Sequence, residues 1–285
     1  MPSRDDLVAV FQDTEKWYQT DATLKDAVKA SIQNTKFYKE DETPSLPPER
    51  EKRAQVLVNQ NKTLEYAYIA HRKLPNARIT VHNFASATHP GGGVRKGSRA
   101  QEECLCRTTT LLPALETDAN KKAFYGFHWA RHDAHYTDAC IYIPGIVAVK
   151  TDDDLPRRLD PSDWMKLDVI TCAAPNLRAM PSNSMNRTSG KAVKVKDADL
   201  MTLHEKRARH MLSIAAANGT DILILGAFGC GAFQNNPNVV AKAYANVLPD
   251  FLHQFDAIVF AVYCTPKDRS NYVAFYNTLM KLNRI

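Results

Sequence analysis

The chain has 285 residues, of which 44% are apolar and 24% charged, with a formal net charge of +6. That apolar share suffices for one large core and at most two domains, and no apolar run approaches the roughly 18 residues that span a bilayer. The opening run MPSRDDLVAVFQDTEKW lacks an apolar stretch and a small-residue cleavage site, so the sequence reads as intracellular, without a membrane partner, and a monomer is the expected assembly. Six cysteines, at 104, 106, 140, 172, 230 and 264, form no CxxC pair and read as reduced structural thiols. The positive charge favours capture of an anionic partner but specifies no nucleic-acid sequence.

Residues 1–40 carry apolar positions at helical spacing (Leu7, Val10, Phe11, then Trp17 and Tyr18) and are expected to be helical. A Pro-rich break at 41–50 precedes a further helical run through Tyr68, so that 1–70 reads as a helical extension packed on a core at 71–285. From residue 78 short apolar runs appear at 78–84, 140–149, 169–174, 221–225 and 257–264, separated by helical patterns at 101–115, 198–217, 237–253 and 268–282. Near-continuous apolar strands alternating with helices predict an α/β fold, a sheet covered on both faces. Asn235 and Asn236 are available to cap the helix at 237, with Pro237 in its first turn. Residues 178–197, rich in Ser, Asn, Lys and Arg, are expected to form a mobile surface loop.

Two glycine-rich turns follow strands. Gly91-Gly92-Gly93 comes after the run ending near Phe84, and GAFGCGAF at 226–233 comes directly after DILIL. Glycines at such places let backbone N–H groups approach an anion closely, and a helix start adds its dipole. The second turn lacks GxGxxG spacing, which counts against a dinucleotide-binding oxidoreductase. Two such turns suit a ligand with a diphosphate, and Phe228 and Phe233 could pack on a ribose or base or lie in the core. The first turn is tied to a carboxylate pair, because Gln101-Glu102-Glu103 opens the next helix.

The run of three glycines, seven residues and then Gln101-Glu102-Glu103, with Gly229 to Phe233 downstream, resembles the signature of poly(ADP-ribose) glycohydrolases of the compact bacterial and fungal type. FASATHPGGG, CIYIPG and ITCAAPN are similar in flavour. The resemblance implies a macrodomain-like mixed sheet sandwiched between helices, with the N-terminal helical extension. It further implies hydrolysis of ribose–ribose O-glycosidic bonds in poly(ADP-ribose), or action on ADP-ribosylated proteins, with no cofactor and no metal. Glu103 would be the general acid and base, and Glu102 would position ribose hydroxyls. Ligand contacts would come from Asn83, Ser86, Gly91, Gly92, Gly93, Val94 and Gln101 on one side. Phe228, Gly229, Cys230, Gly231, Ala232 and Phe233 would supply the other. Ser86 stands where many relatives carry Asn and has a shorter reach to a ribose hydroxyl.

Adjacent residues on a helix point about 100° apart, so one carboxylate can hold a hydroxyl while its neighbour reaches the scissile oxygen. A hydrolase of single ADP-ribose units and a non-catalytic ADP-ribose reader remain the alternatives; the carboxylate pair, which simple binding does not require, favours an enzyme. The competing constellation is His128, His132 and His135, whose first two members have the i, i+4 spacing of a helical metal site but lack HExxH.

Overall fold

The computed structural model describes residues 2–187 and 190–284. Its helices are α1 (Arg4–Thr20), α2 (Ala22–Gln33), α3 (Thr63–Lys73), α4 (Gln101–Thr108), α5 (Leu112–Leu115), α6 (Asp118–Asn120), α7 (Phe127–Arg131), α8 (Asp197–Ala217), α9 (Pro237–Val247) and α10 (Ser270–Leu279). The strands are β1 (Lys36–Tyr38), β2 (Gln55–Asn59), β3 (Ile79–Phe84), β4 (Cys140–Ala148), β5 (Met165–Cys172), β6 (Ile222–Leu225) and β7 (Ala257–Ala261). They form one seven-stranded sheet in the order β1-β4-β5-β3-β6-β7-β2. β5, β3, β6, β7 and β2 are mutually parallel, and β4 runs against β1 and β5. This mixed sheet between helices is the macrodomain-like α/β architecture expected from the sequence.

Period-2 alternation divides each strand between two cores. In β6, Ile222 and Ile224 face the core shared with α3 and α4, while Leu223 and Leu225 face α8, α9 and α10. Central strands are therefore apolar on both faces, which is why they stand out in the sequence. Helix α1 docks on α4 through a buried cation: Arg107 Nε donates to Leu7 O at 3.2 Å, and Thr14 Oγ1 donates to Arg107 O at 2.6 Å. The front of the chain thus braces the helix that carries the carboxylate pair. Among the described residues, no helix is long and apolar enough to cross a membrane.

Four sequence expectations need correction. The helical run before Tyr68 is the strand β2 followed by α3, because Val56 and Val58 alternate into the core while Gln55 stays exposed. Residues 1–70 therefore supply both edge strands, β1 and β2, as well as helices. The helix expected over 101–115 stops at Thr108: the Thr108 and Thr109 hydroxyls bond the carbonyls of Cys104 and Leu105, and Thr109 turns out to bridge Ala148. The helix starting at 237 ends at Val247 ahead of Pro249. The stretch 178–197 is irregular up to α8, as expected, but it is pinned. Asn183 Nδ2 donates to Asn176 O at 2.6 Å, and Met185 is buried; Thr188 and Ser189 lie outside the described residues.

Candidate active site

Both glycine-rich turns lie at the carboxyl end of the parallel strands, one after β3 and one after β6, and these strands are hydrogen-bonded neighbours. Crevices at this end are where open α/β sheets bind ligands. Gln101 fixes the start of α4 against β3: its Oε1 accepts from Phe84 N at 2.9 Å, and its Nε2 donates to His82 O at 2.7 Å. Its amide also reaches Thr63 Oγ1 at 3.2 Å. Both ends of this side chain are thus engaged, so Gln101 positions the helix rather than presenting a free amide to a ligand.

Glu102 is buried beneath the first turn. Ser86 N donates to its Oε2 at 2.7 Å, and Asn83 Nδ2 lies 3.4 Å from its Oε1. Burial pushes the Glu102 carboxyl up to about 8, and the Glu103 carboxylate adds to this, while the N–H groups of Ser86 and Gly91 oppose it. Glu103 is also buried, and its Oε1 accepts from Gly93 N at 2.8 Å. Its Oε2 has no hydrogen-bond partner among the described residues. One oxygen of Glu103 is therefore anchored by the glycine turn, and the other is buried without a partner among the described residues.

The turn needs glycine for a stated reason. Gly92 has φ +56°, and a Cβ there would lie 2.5 Å from Glu103 Oε1 and 3.2 Å from Glu102 Oε2. Gly91, at φ +67°, would bring a Cβ 2.6 Å from Leu112 Cδ1, and one on Gly93 would meet Ser98 Oγ. Val94 is buried, with Cγ1 among the atoms nearest Gly91, and supports the turn from below. The Ser86 hydroxyl accepts from His89 N at 3.1 Å and Thr88 N at 3.4 Å, so it also shapes the loop. Asn83 is fully buried on β3, and its Oδ1 has no partner among the described residues.

The second turn is clamped by Asn235, which the sequence offered as a helix cap. Its Nδ2 donates to Pro175 O at 2.7 Å and to Gly229 O at 3.1 Å, and its Oδ1 lies 2.9 Å from His204 Nε2. Capping of α9 falls to Asn236, which accepts from Asn238 N. Gly229 (φ +75°) is closely hemmed by Ala174 and Asn235, whereas Gly231 is exposed, with no atom of the described residues within 4 Å of an added Cβ. Ala232 is exposed, and Cys230 and Phe233 are part-buried. Phe228 belongs to the core, stacked edge-on against His82 at 4.4 Å and 1% exposed, so it supports the turn and offers no ligand surface.

The histidine constellation does not assemble as spaced. Helix α7 ends at Arg131, and His132 has φ +52° beyond it, so the i, i+4 face is never completed. His128 is buried with Nδ1 2.9 Å from Phe124 O and Nε2 2.9 Å from Thr137 Oγ1, and burial lowers it to about 4. His135 pairs with Asp133. Among the described residues, no group of three His, Cys, Asp or Glu side chains could hold a metal ion. Residues that the sequence did not mark are the supports: Thr63 and the His82 carbonyl for Gln101, and Thr171 for Asn83. None carries a spacing signal, because each acts across the fold.

Comparison with known proteins gives the family. No curated protein sequence matches the chain. Among solved structures it is similar to poly(ADP-ribose) glycohydrolase from Thermomonospora curvata, at 27% identity and TM-score 0.80 over 96% of this chain and 99% of that one. The same protein bound to the inhibitor ADP-HPD gives 28% and 0.76, over 96% and 99%. The Deinococcus radiodurans poly(ADP-ribose) glycohydrolase in complex with ADP-ribose gives 28% and 0.75, over 90% and 98%. The family model for the microbial-type PARG catalytic domain matches residues 9–151, which include the triple glycine and both glutamates. With half of its length in that match, the chain belongs to the microbial-type poly(ADP-ribose) glycohydrolases.

Proposed function

We propose that Glu103 is the general acid and base for hydrolysis of ribose–ribose bonds in poly(ADP-ribose), and that the two glycine turns hold the diphosphate. The observation that carries this reading is the division of labour within Glu103. Gly93 N–H fixes Oε1, while Oε2 is shielded from solvent and has no partner among the described residues. A carboxyl held this way can give its proton to the departing ribose oxygen as the C–O bond breaks and positive charge builds on the anomeric carbon. Water then forms the new C–O bond, and its proton returns to Glu103. An oxocarbenium-like carbon accepts water readily, so the step calls on the carboxyl group alone.

Glu102, held neutral by burial around pH 7, has a different part. A protonated carboxyl can donate to a ribose hydroxyl. Gly231 stands open on the second turn, where a phosphate could approach its backbone. The six free cysteines suit a reducing, intracellular setting, and we read the enzyme as a monomer there. A polymer rather than a single ADP-ribose unit is the substrate favoured by the match to glycohydrolases.

Paired substitutions test the division of roles. Glu103→Gln should bind ADP-ribose within a few-fold of the parent protein and lose roughly 10²-fold or more in turnover, the scale of a missing general acid. Glu102→Gln should instead weaken ADP-ribose in calorimetry. Polymer turnover by Glu103→Gln near the parent rate would refute the assignment.

A further inference from the structure

The rim of the site carries an aromatic surface that the cleavage step does not use. Trp129, on α7, is 51% exposed, and its ring stands edge-on to His89 at 6.2 Å with an 88° interplanar angle. His89 is itself exposed and belongs to the first glycine turn, since its carbonyl accepts from Gly92 N at 2.9 Å and its N–H donates to Ser86 Oγ. The tryptophan is thus attached to the loop that orients Glu103. The other two tryptophans, Trp17 and Trp164, are packed against each other.

Beside α7 lies a hollow of about 390 Å³ whose lining includes Arg131, His132, His135 and Arg187. Asp133 is the opposing charge there, and it pairs with His135 at 2.8 Å. Arg131 contacts Glu40 at 3.3 Å in an exposed ion pair of the kind that contributes little and exchanges readily for another anion. Arg187 Nη2 donates to Arg131 O, so the Arg187 guanidinium is held at the end of α7, and both arginines line the hollow. β4 begins where the antiparallel β5 ends, so the segment joining α7 to β4 reaches the sheet at the same end as both glycine turns.

We propose that this side of the site holds the neighbouring ADP-ribose unit of the polymer, with its adenine on the Trp129–His89 surface and its diphosphate against Arg131 and Arg187. This rests on the glycohydrolase reading and deepens it: the enzyme then grips two units and prefers polymer over a single ADP-ribose. A base stacked on an aromatic side chain tolerates any sequence, as a homopolymer of nucleotides requires only a π-face and a phosphate.

The test uses long polymer and ADP-ribose side by side. Trp129→Ala should raise KM for long polymer about 10-fold, the scale of one lost base stack. Trp129→Phe should recover most of that, and Kd for ADP-ribose should move less than two-fold. Polymer should quench the exposed-tryptophan fluorescence of the parent but not of Trp129→Phe. Arg187→Ala should flatten the salt dependence of KM. An unchanged KM in Trp129→Ala, or ADP-ribose affinity falling in step with it, would overturn the second subsite. Failure of the parent protein to cleave polymer would instead overturn the glycohydrolase reading.

Discussion

Two adjacent glutamates on one helical turn sit in different surroundings, and the difference is set by a few backbone N–H groups. Glu102 is 3% exposed and pushed up to about 8, chiefly by desolvation. An unfolded Glu102 ionises near 4.5, so folding takes up a proton between that value and about 8. The contribution of this group is fully present below pH 4.5 and is lost as pH rises through 8. Glu102→Gln removes the titration, so the variant should gain thermal stability relative to the parent protein at pH 8.5 and show no such gain at pH 5. Differential scanning calorimetry at both pH values decides it, and an equal offset at the two would contradict the buried, neutral Glu102. The pair was legible in the sequence as a motif. Which member would be the more deeply enclosed was not, because that depends on Ser86, Asn83 and Gly91 arriving from β3 and the turn.

At the scale of elements, the two glycine turns are built differently, and substitutions in them should behave differently. In the first turn the space at Gly92 is filled by the glutamates themselves, so Gly92→Ala should displace Glu103 and abolish activity through the protein's own geometry. In the second turn Gly231 faces open space, so Gly231→Val should fold normally, with an unchanged melting temperature, yet lose ADP-ribose affinity at least 10-fold if a phosphate approaches there. Calorimetry on the folded variant reads this directly; wild-type affinity would remove the second turn from the diphosphate site. The sequence marked both turns by glycine content but could not separate structural glycines such as Gly229 from open ones such as Gly231. It left Phe228 either on a ligand or in the core, and the turn after β6 sets it in the core beside His82 and His204. The central strands were readable because they are apolar on both faces. The three-residue β1 and five-residue β2 were not, since so short an edge strand carries too little pattern to outweigh its helical neighbours.

For the molecule as a whole, three of the four buried histidines dominate the response to acid. Burial lowers His82 and His204 to about 3 and His128 to about 4. Their contribution is present above pH 6.5, where the unfolded rings are neutral too, and is lost as pH falls toward the folded values. Glu102 and Asp152, raised to about 8 and about 6, act in the opposite sense over part of this range. Near pH 5.5 the balance is a net uptake of about one proton on unfolding, a slope on the order of 1 kcal/mol per pH unit. Urea midpoints should therefore fall between pH 6.5 and 5, and His204→Gln should flatten the fall; a midpoint that rose on acidification would show these rings to be accessible in the folded state. The central claim, that Glu103 gives its proton to the departing ribose, is tested most directly by making that proton unnecessary. Glu103→Gln should cleave polymer roughly 10²-fold or more slowly than the parent protein, yet cleave an ADP-ribose bearing a nitrophenolate at the same anomeric carbon within a few-fold of it, because that leaving group departs without protonation. Equal losses on both substrates, or no loss on polymer, would contradict the assignment.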